Sequence, residues 1–134
     1  MASELLDAIE ASYSRGPDVV RLSHGVEYVV RGDLVAITGT NEFRDWLRNV
    51  SAWTTPVRDQ MSLHATGRAH AGYWSAAIQV ARDVQSRWTP AMRLCGHSLG
   101  GAVAVLAGAI LADRESHPVR VVTLGRPPCC DRQL

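Results

Sequence analysis

Gly96-His97-Ser98-Leu99-Gly100-Gly101 decides how the rest of this chain is read. Before it lies a short run, Met92 to Cys95, apolar except for Arg93. After it comes Leu99-Gly-Gly-Ala-Val-Ala-Val-Leu-Ala-Gly-Ala-Ile-Leu-Ala112, small and helix-compatible throughout. That order predicts a strand, a sharp turn and a helix. The Gly-x-Ser-x-Gly spacing puts a serine at the apex of the turn with its hydroxyl clear of the sheet, the arrangement called a nucleophile elbow. Glycine suits positions 96 and 100 because a Cβ there would crowd the strained serine backbone and the helix beside it. The helix start adds chemistry of its own. Its first N–H groups lack intrahelical partners and carry the positive end of the helix dipole, so the Leu99 N–H is half of an oxyanion hole.

Outward from the turn, composition sets the frame. With 134 residues, 46% of them hydrophobic and 20% charged, the chain is read as one globular domain that buries roughly two-thirds of its unfolded surface. Net charge is +1 and the basic residues are scattered, which leaves no footprint for nucleic acid or an anionic membrane. The first ten residues carry Glu4, Asp7 and Glu10 where an export signal needs a basic end and an apolar run, so a cytoplasmic protein is expected. Leu99 to Ala112 is too short to span a bilayer and reads as a buried helix. Three cysteines, with Cys129 and Cys130 adjacent, make neither a zinc spacing nor a secreted disulfide framework. No metal or cofactor is expected, and a reducing compartment fits.

From the N-terminus, Leu5, Leu6, Ile9 and Tyr13 fall on one helical face, and Arg15-Gly16-Pro17 stops that helix. Val26 to Val30 and Leu34 to Thr38 are β-prone runs joined by Arg31-Gly32-Asp33, a hairpin turn rather than an adhesion tripeptide in a chain without an export signal. A helix from about Gly72 to Trp88, closed by Thr89-Pro90, leads to the strand before the elbow, and Val119 to Leu124 reads as the strand after the elbow helix. Strands alternating with helices after an initial hairpin predict a mainly parallel, three-layer α/β sheet.

Ala36-Ile-Thr-Gly-Thr40-Asn-Glu-Phe-Arg-Asp45-Trp46-Leu-Arg-Asn49-Val resembles the class 3 lipases, the fungal-type and diacylglycerol lipase group, in which a strand ends in Gly-Ser/Thr and an Asp-Trp helix follows. Ala69-His70-Ala-Gly72-Tyr73, the elbow itself and Val122-Thr-Leu-Gly125-Arg-Pro127 are similar in the same order. The resemblance implies an α/β-hydrolase fold and carboxylic esters of lipids as substrates. It makes Ser98 the nucleophile, the Leu99 N–H one oxyanion donor and Thr40 the other. Thr40 also ends a strand that a parallel sheet would set beside the elbow strand, so donors from two strand ends can converge on one oxygen. Thr40 or Asn41 equally suits the cap of the following helix. Thr38 stands where the family usually has an arginine. Phe43, Trp46, Leu47 and Val50 form one apolar stripe, which plain core contact would also explain and which the resemblance places at a lid or cleft wall. There each acyl methylene buried contributes about 0.8 kcal/mol.

A serine nucleophile needs a base, and the base a carboxylate. The elbow helix runs back about 20 Å at 1.5 Å per residue and so delivers Asp113, Glu115 and His117 to the edge opposite Ser98. His70, His64 and Asp131 fall at the right edge. In the family the histidine matching His70 is structural, and Asp131 precedes the true acid. His97 points away from its neighbour. The family's acid and histidine are therefore expected beyond residue 134, which marks the chain as an incomplete hydrolase domain, truncated after the strand that follows the elbow helix. Two functions follow: a lipase or esterase acting through a serine acyl-enzyme on a lipid or small ester, or a non-catalytic module that keeps the elbow as scaffold and binds. An edge strand left unpaired by truncation should promote self-association.

Overall fold

Leu34-Val35-Ala36-Ile37 is apolar without alternation, the mark of a strand covered on both faces, and in the computed structural model it runs through the middle of the sheet. The structure describes residues 2–14, 16–39, 42, 45, 54–57 and 66–134. Helix α1 (Ala2–Tyr13) is followed by β1 (Val20–Arg21), β2 (Val26–Arg31) and β3 (Leu34–Gly39). A short antiparallel pair, β4 (Thr54–Pro56) and β5 (Arg68–His70), precedes α2 (Ala71–Gln85). Then come β6 (Arg93–His97), α3 (Leu99–Glu115) and β7 (Arg120–Leu124).

The main sheet has the order β1-β2-β3-β6-β7. β1 pairs antiparallel to β2 and β2 antiparallel to β3, while β3, β6 and β7 pair parallel, so β2 alone runs against the rest. The β2–β3 connection is the expected hairpin. Gly32 takes φ 58° at the first turn position, a conformation glycine adopts without steric cost. The turn's charges are engaged: Arg31 meets Asp18 at 3.2 Å and Asp33 meets Arg93 at 2.9 Å, the latter holding the Asp33 carboxyl below the usual carboxylate range.

Strand side chains alternate between two cores. Val35, Ile37 and Leu94 pack under α2 and α3 with Trp74, Val80, Leu106 and Ile110, whereas Leu34, Ala36 and Cys95 pack under α1 with Ala8 and Ile9. The result is the expected three-layer α/β architecture. α3 is buried on nearly every side, as its uninterrupted apolar composition requires. Among the described residues no helix is long and apolar enough to cross a membrane.

Some boundaries differ from expectation. α1 turns Leu5, Ala8, Ile9 and Ser12 inward and leaves Leu6 and Tyr13 about half exposed. The small Ala8 and the hydroxyl of Ser12, which donates to the Ile9 carbonyl at 2.6 Å, allow the close approach that a hydrophobicity count overlooks. α2 ends at Gln85, and its last turn is completed by Arg87 and Trp88 N–H groups donating to the Val84 and Gln85 carbonyls. Of the helix expected around residues 43–50, Glu42 and Asp45 are helical and exposed, while Phe43, Trp46, Leu47 and Val50 lie outside the described residues.

Candidate active site

Ser98 occupies the position before the first turn of α3, where serine usually accepts a hydrogen bond from the helix's own N–H groups. Here its backbone sits at φ 51°, ψ −120°, and its side chain makes no capping bond. Such a conformation costs a non-glycine residue of order 1–3 kcal/mol and persists only where the surroundings enforce it. They do so from two sides: the Ser98 N–H donates to the Leu124 carbonyl at 2.8 Å, and the Ser98 carbonyl accepts from the Ala102 N–H at 3.2 Å.

The neighbouring glycines make room for the turn. A Cβ on Gly96 would stand 2.4 Å from the Gly100 carbonyl carbon, and one on Gly100 would stand 2.0 Å from the Ile37 carbonyl oxygen. The first N–H groups of α3, those of Leu99 and Gly100, therefore open at the same end of the sheet as the serine hydroxyl.

Strand register fixes what else reaches this edge. Ile37 is level with Gly96, and Gly96 with Thr123, so the ends of β3, β6 and β7 lie side by side. The chain leaving Gly39 departs next to the elbow, although Thr40 itself lies outside the described residues, as do Asn41 and His64. Thr38 is buried and its hydroxyl has no partner among the described residues.

The pairing of Arg93 with Arg120 sets the end of α3 at the opposite edge, and Asp113, Glu115 and His117 go with it. A cavity of about 330 Å³ between α1 and the β2–β3 turn, lined by Glu4, Asp7 and Arg31, lies at that far edge too.

Three titratable groups on the serine's edge are engaged elsewhere. The His70 ring caps α2, its Nδ1 accepting from the Gly72 N–H at 3.2 Å while the ring stacks on Tyr73 at 4.6 Å. Burial pushes the His70 pKa below the ordinary histidine value. Asp131 accepts from the Arg68 and Gln133 N–H groups, each at 3.0 Å, and so builds a turn. His97 is exposed and meets the Tyr13 hydroxyl at 3.3 Å through Nδ1, on the α1 side of the sheet. His24, which the sequence reading passed over, belongs to this edge as well, because Val26 pairs with Gly39. It stands in a left-handed turn at φ 61°. Nothing in the local sequence marks it, since only the β2–β3 register brings it here.

The family model described as Lipase (class 3) matches residues 34–134. An extracellular phospholipase A1 of Serratia liquefaciens is 34% identical over 74 residues, which are 55% of this chain and 19% of that protein. A deletion mutant of the Rhizomucor miehei lipase propeptide complex superposes with a TM-score of 0.57 at 22% identity, over 86% of this chain and 42% of its own. A fungal lipase–inhibitor complex described as a model for interfacial activation gives 0.58 at 19% identity, over 86% of this chain and 50% of its own. At these identities the two structures speak for the α/β-hydrolase fold alone. The chain thus spans about half the length of the fungal structures and about a fifth of the phospholipase.

Proposed function

This chain belongs to the class 3 lipase family, and from that premise we propose that it carries the nucleophile and oxyanion half of a site hydrolysing carboxylic esters of lipids. The observation that supports this best is Ser98, a serine held in a costly backbone conformation with its hydroxyl left free of the helix it precedes. In the proposed reaction Ser98 Oγ bonds to the ester carbonyl carbon as its proton passes to a base. The oxyanion is held by the Leu99 N–H and by Thr40, the alcohol leaves, and water then cleaves the acyl-enzyme. Acylglycerol-type esters are the proposed substrates, and the phospholipase A1 name of the Serratia relative adds phospholipid esters to the same class.

Base and acid are not assigned among the described residues. His70 and His97 each commit a ring nitrogen elsewhere, and Asp131 is held by backbone amides. Those commitments favour a second reading in which this chain binds an ester or lipid on the elbow scaffold without turning it over.

A fluorophosphonate probe tests the nucleophile directly. Covalent labelling is expected on Ser98 and should vanish in Ser98→Ala. Equal labelling of the variant would remove Ser98 from the mechanism.

A further inference from the structure

Beyond β7 the chain crosses the serine's edge as a strap, residues 125–131, and is tied down along its length. It leaves from Leu124, whose carbonyl accepts the Ser98 N–H. The Cys129 carbonyl accepts the His70 N–H at 2.9 Å, Cys130 bridges Ala69, and the Asp131 N–H donates to the Arg68 carbonyl at 3.0 Å. Within this strap the sulfurs of the two adjacent free cysteines, Cys129 and Cys130, lie 4.0 Å apart. Arg126 Nη1 reaches the Cys129 sulfur at 3.6 Å, and the Arg126 Cβ packs on Gly101 in the first turn of α3.

We propose that Cys129 and Cys130 form a reversible thiol–disulfide pair, closed by low-molecular-weight disulfides such as oxidised glutathione. Cys130 is half-buried and Cys129 only 3% exposed, so Cys130 reacts first. Its thiolate attacks one sulfur of glutathione disulfide, forming a mixed disulfide and expelling one glutathione thiolate. Cys129 then loses its proton to solvent, attacks the Cys130 sulfur and releases the second glutathione. Two protein thiols are oxidised to one disulfide, one glutathione disulfide is reduced to two thiols, and the protons end on the glutathiones.

Adjacent residues hold their Cα atoms about 3.8 Å apart, closer than the about 4.4–6.8 Å usual in disulfides. The closed ring is therefore strained and readily reduced, the property of regulatory rather than structural disulfides. Closure draws the Cys129 sulfur away from Arg126 and changes the strap that leaves from Leu124, the residue whose carbonyl holds the serine's amide.

The test is mass spectrometry with thiol counting on the full chain equilibrated with glutathione disulfide. Trypsin leaves both cysteines in one peptide, Val121 to Arg132. That peptide should become lighter by two hydrogens, titratable thiols should fall from three to one, and dithiothreitol should restore them. The fully buried Cys95 is the internal control. Cys129→Ser should stop at a stable glutathione adduct on Cys130. A wild-type chain that keeps three thiols, retains the glutathione adduct or forms interchain disulfides on a non-reducing gel would overturn the proposal.

Discussion

At His70 one ring nitrogen couples protonation to the fold. Nδ1 can accept the Gly72 N–H only while it is unprotonated, and burial already disfavours the charged ring, so the folded pKa lies below the ordinary 6.5. In the window below 6.5 the unfolded chain binds the proton more readily than the folded one. Stability is therefore full above the unfolded value and is lost as pH falls through it toward the folded value. The thermal midpoint should drop between about pH 7.5 and about pH 5.5. His70→Asn, which caps without titrating, should flatten that drop. An equal slope in the variant would mean that other groups carry the acid sensitivity. The sequence placed His70 at the serine's edge by topology. Its role as a cap depended on the β5–α2 junction, which three residues of strand do not announce.

Between elements, the tightest constraint is the approach of α3 to β3 at Gly100. Exchanging a helical glycine for alanine gains up to about 1 kcal/mol of helix propensity. At Gly100 the added methyl would stand 2.0 Å from the Ile37 carbonyl oxygen, a backbone atom that cannot swing aside. Overpacking should win there, and Gly100→Ala should destabilise by about 3 kcal/mol. Gly108 also faces the sheet, but its new Cβ would meet a Val121 side-chain methyl at 2.6 Å, which a small helix shift relieves. Gly108→Ala should cost about 1 kcal/mol or less. Chemical denaturation of the two variants tests the ranking, and similar midpoints would contradict the drawn contact. The spacing of the elbow motif made Gly100 legible as a close approach; that Ile37 is what it approaches was not.

For the whole molecule, the sheet has β7 as one of its edges, with Val122 38% and Leu124 42% exposed on the same face as Cys95, where α1 packs on β2, β3 and β6. Among the described residues nothing pairs with the outer side of β7. An apolar edge without lysine, proline or bulge invites another strand, so sedimentation velocity should show concentration-dependent association that Val122→Lys reduces. A monomer at all concentrations would argue that the edge is covered. Catalysis is the other property of the whole. With His70 Nδ1, His97 Nδ1 and the Asp131 carboxylate each committed away from Ser98, an activated short-chain ester should be hydrolysed at only about 10³ to 10⁴ over water, the level left to oxyanion and binding contributions when a triad member is missing. Triad-like kcat/KM that collapses in His70→Ala and Asp131→Asn would overturn this.

By itself the sequence determined the strand–turn–helix around Ser98, the hairpin at Gly32, the buried character of α3 and the family. Each is a matter of local spacing, glycine placement or periodicity, and such patterns act between residues near in the chain. Tertiary structure alone decided the φ of Ser98, which depends on the Leu124 carbonyl, and the inward face of α1, which depends on how closely Ala8 and Ser12 can approach β3. It also decided the β4–β5 pair and the strap that ties Cys129 to His70. These are pairings between distant segments. Neither partner's sequence encodes them, because the contact exists only after the loops between have been closed and the sheet has set its register.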